Sequence, residues 1–290
     1  MTALKGETKL MKNIFKKFIQ IPLIQIVIAV ILINIITFIV RSSAQILLST
    51  LPFSNNILTS IIIFCVRMTT VYYVYYFFVK IMEKRKALEI KVNKSFVKEF
   101  SFGALLAVST LFVIIMIIWL TGNYSVYSIN ESAPLLESFF YHTFFAFLQD
   151  IIYFAVIFRI IEKYYGSWIA IIIASIIFGF KHLLFPGYTI WSVVAQTIEG
   201  GLLFSSFYII YRKIGAIFGF HLVWNFIQYG IIQGFRSEGY IPLFNGDFSE
   251  NLISGMPVGL EASIISFFIL TSFGVYFLIR AIRKGMLLSP

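Results

Sequence analysis

One cysteine, Cys65, and three histidines occur in 290 residues, and charged side chains make up only 12% of the chain. A lone thiol closes no disulfide within the chain, which excludes a disulfide-stapled scaffold. Soluble domains carry about 25% charged residues, so this chain has too few to cover a water-facing surface of its own. Proline is sparse, at 7, and glycine, at 18, follows no Gly-X-Y period, so collagen-like repeats are excluded as well. Disorder is excluded by what replaces the missing polar residues. Apolar residues reach 59%, aromatics 18%, and mean hydropathy is +0.90. That composition describes an all-α, polytopic membrane protein. A net charge of +10 would suggest nucleic acid in a soluble protein. Here the positive residues lie between apolar runs and report orientation in a bilayer, so no nucleic-acid partner is expected.

A helix needs about 20 mostly apolar residues to cross a bilayer. Eight stretches qualify, at roughly 21–40, 57–79, 102–121, 136–158, 168–185, 190–210, 214–235 and 259–280. The first follows Lys12, Lys16 and Lys17 without a small-residue cleavage site, so it reads as an anchor. Met11 opens the segment MKNIFKK like a natural start, which makes residues 1–10 look like an extension. Positive residues crowd alternate connections: Lys80 to Lys98, then Arg159 and Lys163, Arg212 and Lys213, and Arg280 to Lys284. The other connections hold few, such as Arg41, or Arg236 among Glu238, Asp247 and Glu250. Both termini are therefore expected in the cytoplasm, with the chain in the cell membrane. The charged stretch 80–99 is the one candidate boundary. It would separate residues 1–100, a basic segment with two spans and a loop, from a six-helix domain at 101–290. No internal repeat supports an inverted-repeat transporter. Residues 242–259 read as an outer loop, partly re-entrant.

Ionisable groups inside hydrocarbon cost roughly 2.5–3.5 kcal/mol each, so each invites a functional reading. The candidates are Arg67, His142, Asp150, Lys181, His182, Glu199 and His221, with Gln149 and Asn225 as neutral companions. His221 and Asn225 share one helix face, as do Phe178 and His182. His142 and Gln149, seven apart, also align, while Asp150 points about 100° from Gln149. Zinc would need three or four ligands, and no helix carries His-Glu-x-x-His. His182, His221 and one carboxylate lack a close ligand pair, so neither metal nor other cofactor is expected. No Gly-x-Ser-x-Gly turn supports a serine nucleophile. Proton-coupled transport through Asp150, Glu199 and the histidines is a rival reading.

Three motifs in order resemble the CPBP family, the CAAX-protease and bacteriocin-processing (Abi) membrane proteins. Gln149-Asp150-Ile-Ile-Tyr-Phe154-Ala155 resembles its Glu-Glu-x-x-x-Arg-Gly motif. Phe178-Gly-Phe-Lys-His182 fits Phe-x-x-x-His, and His221-Leu-Val-Trp-Asn225 fits His-x-x-x-Asn/Asp. The resemblance spans roughly 136–235, on successive apolar helices. It implies a CPBP-like helical core and intramembrane peptide-bond hydrolysis. In that scheme the first glutamate and the second-motif histidine activate water, and the third-motif histidine and asparagine hold the oxyanion.

This chain departs from the pattern at its base. Gln149 offers an amide where the family has a carboxylate, and an amide takes no proton at neutral pH. Asp150 is one methylene shorter than glutamate, and Phe154 replaces the arginine. His182, His221 and Asn225 are kept. Loss of a general base costs about 10²–10⁴ in rate. The expectation is an impaired peptidase-type site that binds a hydrophobic peptide or transmembrane-protein partner within membrane lipid. Bacteriocin immunity, peptide handling and surface-protein display are the family-level roles. The alternative is an active endopeptidase with Glu199 or Asp150 as base, against which Glu199 could merely form a salt bridge to Lys181 or Arg67. Phe145, Phe178, Phe180, Trp191 and Trp224 would wall the cavity or serve as ordinary packing. With straight helices His182 and His221 would stand near opposite ends of their spans, so their cooperation requires tilted or broken helices.

Overall fold

A computed structural model describes residues 18–50, 57–86, 88–184, 187–232 and 241–290. Met11, the first basic run, Arg236 and Glu238 lie outside the described residues. Eight α-helices follow in order among them: α1 (Pro22–Ser49), α2 (Ile57–Phe78), α3 (Lys94–Leu120), α4 (Leu135–Asp150), α5 (Arg159–Phe180), α6 (Ile190–Tyr211), α7 (Gly215–Asn225) and α8 (Ile264–Arg283). Two short strands, β1 (Tyr124–Ile129) and β2 (Phe244–Phe248), pair antiparallel. The chain is a multi-pass helical membrane protein.

Where the sequence suggests eight separate spans, six helical runs among the described residues are long and apolar enough to cross a membrane. The expected fourth and fifth spans fall in one run, Leu135–Leu184. Gly166 breaks that run at φ 80°, a conformation that side-chain-bearing residues avoid. The break exposes the Ser167 N–H, which donates to Leu288 O at 2.9 Å, while Ser167 Oγ accepts from Leu288 N at 2.8 Å. The C-terminal tail thus caps the second half of the run. The expected seventh span is only the 11-residue α7, continued by a π-helical turn over Phe226–Ile231.

Apolar patterning decides which faces turn inward. On α1, Gln25, Ala29, Ile33 and Thr37 recur every fourth residue and are buried, while Leu23, Ile35 and Phe38 face outward, as lipid requires. Association of such helices depends on close approach, because lipid is as apolar as the side chains. Gly215 and Gly219 stand four apart on α7 and meet α3 at Glu99 and Phe100, while Gly103 of α3 meets Ala216. A Cβ at Gly219 would lie 2.1 Å from Phe100 O, and one at Gly103 2.0 Å from Ala216 O. A similar seam joins α5 and α6. There a Cβ at Gly201 would fall 2.4 Å from the Ser175 side chain.

Connections gather at two ends of the bundle. One end holds the basic loops, cross-linked by Arg159–Glu83, Arg212–Glu162 and Lys213–Glu99 ion pairs. At the other end β1 and β2 pair, Asn251 Nδ2 donates to Asn123 Oδ1 at 2.6 Å, and Trp191 Nε1 donates to Ala262 O at 2.8 Å. The 242–259 segment is therefore partly a strand of this polar cap. Tyr124 stacks on Phe248 across the pair, with centroids 4.0 Å apart, and burial pushes its phenol up to about 12.

Candidate functional site

Four helical pieces bring the polar candidates together. Helix α4 delivers Gln149 and Asp150 at its last turn, just before a π-helical stretch over Ile151–Phe158. Widened turns of this kind recur at functional sites, because the extra residue re-aims the side chains beside it. Helix α5 ends at Phe180 and passes into a 3₁₀ turn, Lys181–Leu184, which carries Lys181 and His182. Thr189 caps α6 through a reciprocal bond with Ser192, and two turns further in this helix carries Glu199. Short α7 supplies His221 and Asn225.

His221 and Asp150 form the tightest pair. His221 Nδ1 donates to Asp150 Oδ1 at 2.8 Å, and Asp150 is fully buried. The carboxylate fixes the orientation of the ring, so Nε2 is the atom turned toward the site. His182 Nδ1 donates to Gly179 O at 3.2 Å, which orients the second imidazole in the same way. Phe178 lies between them, its ring centroid 5.6 Å from His182 and 6.3 Å from His221. The two histidines that straight spans would separate thus flank one phenylalanine. The Gly166 break, the 3₁₀ end of α5 and the shortness of α7 make this possible. Asn225 follows one turn after His221, half-buried, where α7 widens.

The first-motif positions are both engaged. Lys181 Nζ donates to Gln149 Oε1 and lies over the rings of Phe178 and Tyr153, at 4.1 and 4.7 Å. Phe154, standing where the family has arginine, is fully buried and packs on Phe178 and Phe204. Its ring replaces a charge with apolar contact.

Glu199 is 1% exposed, and neither carboxylate oxygen has a hydrogen-bond partner among the described residues. The salt bridge considered for it is not formed. Lys181 is held by Gln149, and the Arg67 guanidinium lies 3.5 Å from the centroid of Phe144, with Phe145 next to it. His142 and Gln149 both lie on α4, two turns apart. The His142 ring stacks on Tyr229, centroids 5.1 Å apart. Of the aromatic wall, Phe178 and Trp224 are buried, Phe145 and Trp191 half-buried, and Phe180 faces outward.

Sequence reasoning missed Glu261, Tyr188 and Tyr229. Glu261 lies in a 3₁₀ turn, Leu260–Ala262, just before α8, and is 4% exposed. Its Oε1 accepts from Tyr188 OH at 2.9 Å and Tyr229 OH at 3.2 Å. Burial, then the Glu261 charge, drives the Tyr188 phenol far above its usual range, so it stays a donor. His182 stacks on Tyr188, centroids 5.2 Å apart. A glutamate alone in GLEASII, at the mouth of an apolar run, is the signal that could have found it. Among the described residues, no group of three or more His, Cys, Asp or Glu stands close enough to hold a metal ion.

Residues 131–227 match the family described as type II CAAX prenyl endopeptidase Rce1-like. This segment is Rce1-like. It contains Gln149, Asp150, His182, Glu199, His221 and Asn225, whereas Glu261 falls outside it. No curated protein and no solved structure matches the chain. The Rce1-like segment covers α4 to α7, which is the part of the bundle that builds the site, in about a third of the chain.

Proposed function

We propose that this protein binds a hydrophobic peptide or a transmembrane segment of another protein at its Rce1-like site and hydrolyses it slowly or not at all. The chain would sit in the cell membrane with both termini in the cytoplasm, as its loop charges favour. Bacteriocin immunity, peptide handling and surface-protein display are the roles that suit such a site. The observation that carries the reading is the bond from Lys181 to Gln149. An amide held by an ammonium has no basic atom for a water proton, and the neighbouring Asp150 is bonded through Oδ1 to His221, its Oδ2 having no hydrogen-bond partner among the described residues. His182, His221 and Asn225 remain to bind a carbonyl oxygen.

Glu199 favours a second reading, an active endopeptidase with a relocated base, because its buried carboxylate has no partner among the described residues. One assay separates the two. Purified wild type, Gln149→Glu/Phe154→Arg and Glu199→Gln are compared for cleavage of prenylated CAAX-type peptides. The first reading expects a silent wild type and cleavage restored in the double variant, about 10²-fold or more above background. Robust wild-type cleavage that disappears in Glu199→Gln establishes the second.

A further inference from the structure

The bond between Lys181 and Gln149 fixes which way the amide faces. Lys181 Nζ donates to Gln149 Oε1. An ammonium carries three donors and no acceptor, so only the amide oxygen can face it. The NH2 group is turned to the other branch of the amide. Among the described residues the bond from Lys181 is the one hydrogen bond of the Gln149 side chain, which leaves both Nε2 protons unspent. Gln149 is half-buried, so these donors are not sealed in the core.

The ammonium that orients the amide is itself held in place. Its Nζ lies 4.1 Å from the centroid of Phe178 and 4.7 Å from that of Tyr153. A cation on the amide oxygen polarises the amide and strengthens its N–H donors. The amide also stands between the elements that carry the two imidazoles. Lys181 precedes His182 in one 3₁₀ turn, and Gln149 precedes Asp150, which accepts from His221 Nδ1 at 2.8 Å. Phe178, beside the Lys181 ammonium, has its centroid 5.6 Å from His182 and 6.3 Å from His221. A peptide carbonyl oxygen at this place needs N–H donors. His182 and His221 give their Nδ1 protons to Gly179 O and Asp150, so each adds a donor at Nε2 only as an imidazolium. Gln149 and Asn225 offer amide N–H groups without taking up a proton.

We propose that Gln149, oriented by Lys181, donates to a backbone carbonyl oxygen of the bound peptide. This deepens the peptide-binding reading and rests on it. The residue that cannot serve as a base serves as a binding group, and Lys181 acts on the peptide through it, as a positioning residue. A carbonyl within an α-helix already accepts from the N–H four residues on, so the segment held here is extended or unwound.

The test uses full-length protein in detergent micelles and a farnesylated CAAX-type peptide with an N-terminal fluorophore, read by fluorescence anisotropy. Gln149→Glu keeps the shape and the acceptor for Lys181 but has no N–H, and Gln149→Met removes the donors without adding charge. Both should bind about tenfold more weakly than wild type. Lys181→Met should weaken binding by wild type and cause no further loss in Gln149→Met, whereas an equal loss in both backgrounds overturns the positioning role. In wild type labelled at the glutamine side-chain nitrogens, the NH2 resonances of Gln149 are identified by their absence from either Gln149 variant. They should shift when unlabelled peptide is added. Equal affinity of wild type and both Gln149 variants overturns the proposal and leaves peptide binding intact. Weaker binding without a shift in wild type makes Gln149 structural and overturns it too. If wild type binds no peptide, the peptide reading fails, and N-methylacetamide, a lone peptide-group analogue, decides the donor role by itself. A shift at Gln149 alone among the glutamines supports the donor, and no shift overturns it.

Discussion

The two ends of the bundle treat buried charge in opposite ways. At the basic end every carboxylate of the core has a cation. Glu83 is held by Arg85 and Arg159, Glu89 by Arg85 at 2.8 Å, and Glu162 by Arg212. Tyr75 OH adds a bond to Glu89, and Arg159 Nε donates to Ala155 O at 2.8 Å. This network fastens the 83–89 segment to the π-helical stretch after α4, with little left unsatisfied. At the other end Asp150 is bonded to His221, Glu261 accepts from two phenols, and neither Glu199 oxygen has a hydrogen-bond partner among the described residues. A charge used for architecture is neutralised within the chain. A charge left open is available to a ligand or a proton.

The largest effect should come from breaking the closed end. Arg159→Met removes the cation that faces both Glu83 and Glu89 and leaves two buried carboxylates with Arg85 alone. A loss of about 3–5 kcal/mol is expected, measured as a fall in thermal unfolding temperature in detergent. An unchanged melting profile would mean that water already reaches this network. Next in size, Gly219→Ala tests how the two ends are joined. Its Cβ would meet the backbone oxygen of Phe100, which cannot rotate away, so α3 and α7 must separate. About 1–3 kcal/mol should be lost, with peptide affinity falling as well, because His221 lies two residues on. The smallest effect sharpens the contrast. Glu199→Gln replaces an unpaired carboxylate by its neutral isostere and should change stability by less than about 1 kcal/mol, or raise it. A large destabilisation there would give Glu199 a structural partner and dissolve the difference between the ends.

Much of the site was legible because its motifs are local. Phe178 and His182 stand one turn apart, as do His221 and Asn225, and helical periodicity places each pair on one face without knowledge of the fold. The alternation of basic connections likewise anticipated which loops meet, and the ion pairs of Arg159, Arg212 and Lys213 fall together. What escaped the reading was non-local. The connection expected at 159–167 is itself helical up to Gly166, and only that residue's φ of 80° places the break. Glu261 lies 62 residues beyond Glu199 in the numbering, outside the Rce1-like segment, and reaches the site because β-pairing and the Trp191 bond fold the loop back. The pairing of Lys181 with Gln149 could not be told from a Lys181–Glu199 bridge, since both acceptors lie on neighbouring helices.

Composition alone determined that this chain enters a membrane, because 12% charged residues cannot cover a soluble surface. Motif spacing determined which residue types each helix presents. Which carboxylates are neutralised and which remain open was decided only by tertiary structure. Charge pairing depends on distances of a few ångströms between helices, and those distances are set by glycine seams, π-helical turns and one broken helix. In a low-dielectric interior a shift of that size separates a paired group from an unpaired one, and so an architectural charge from a functional one.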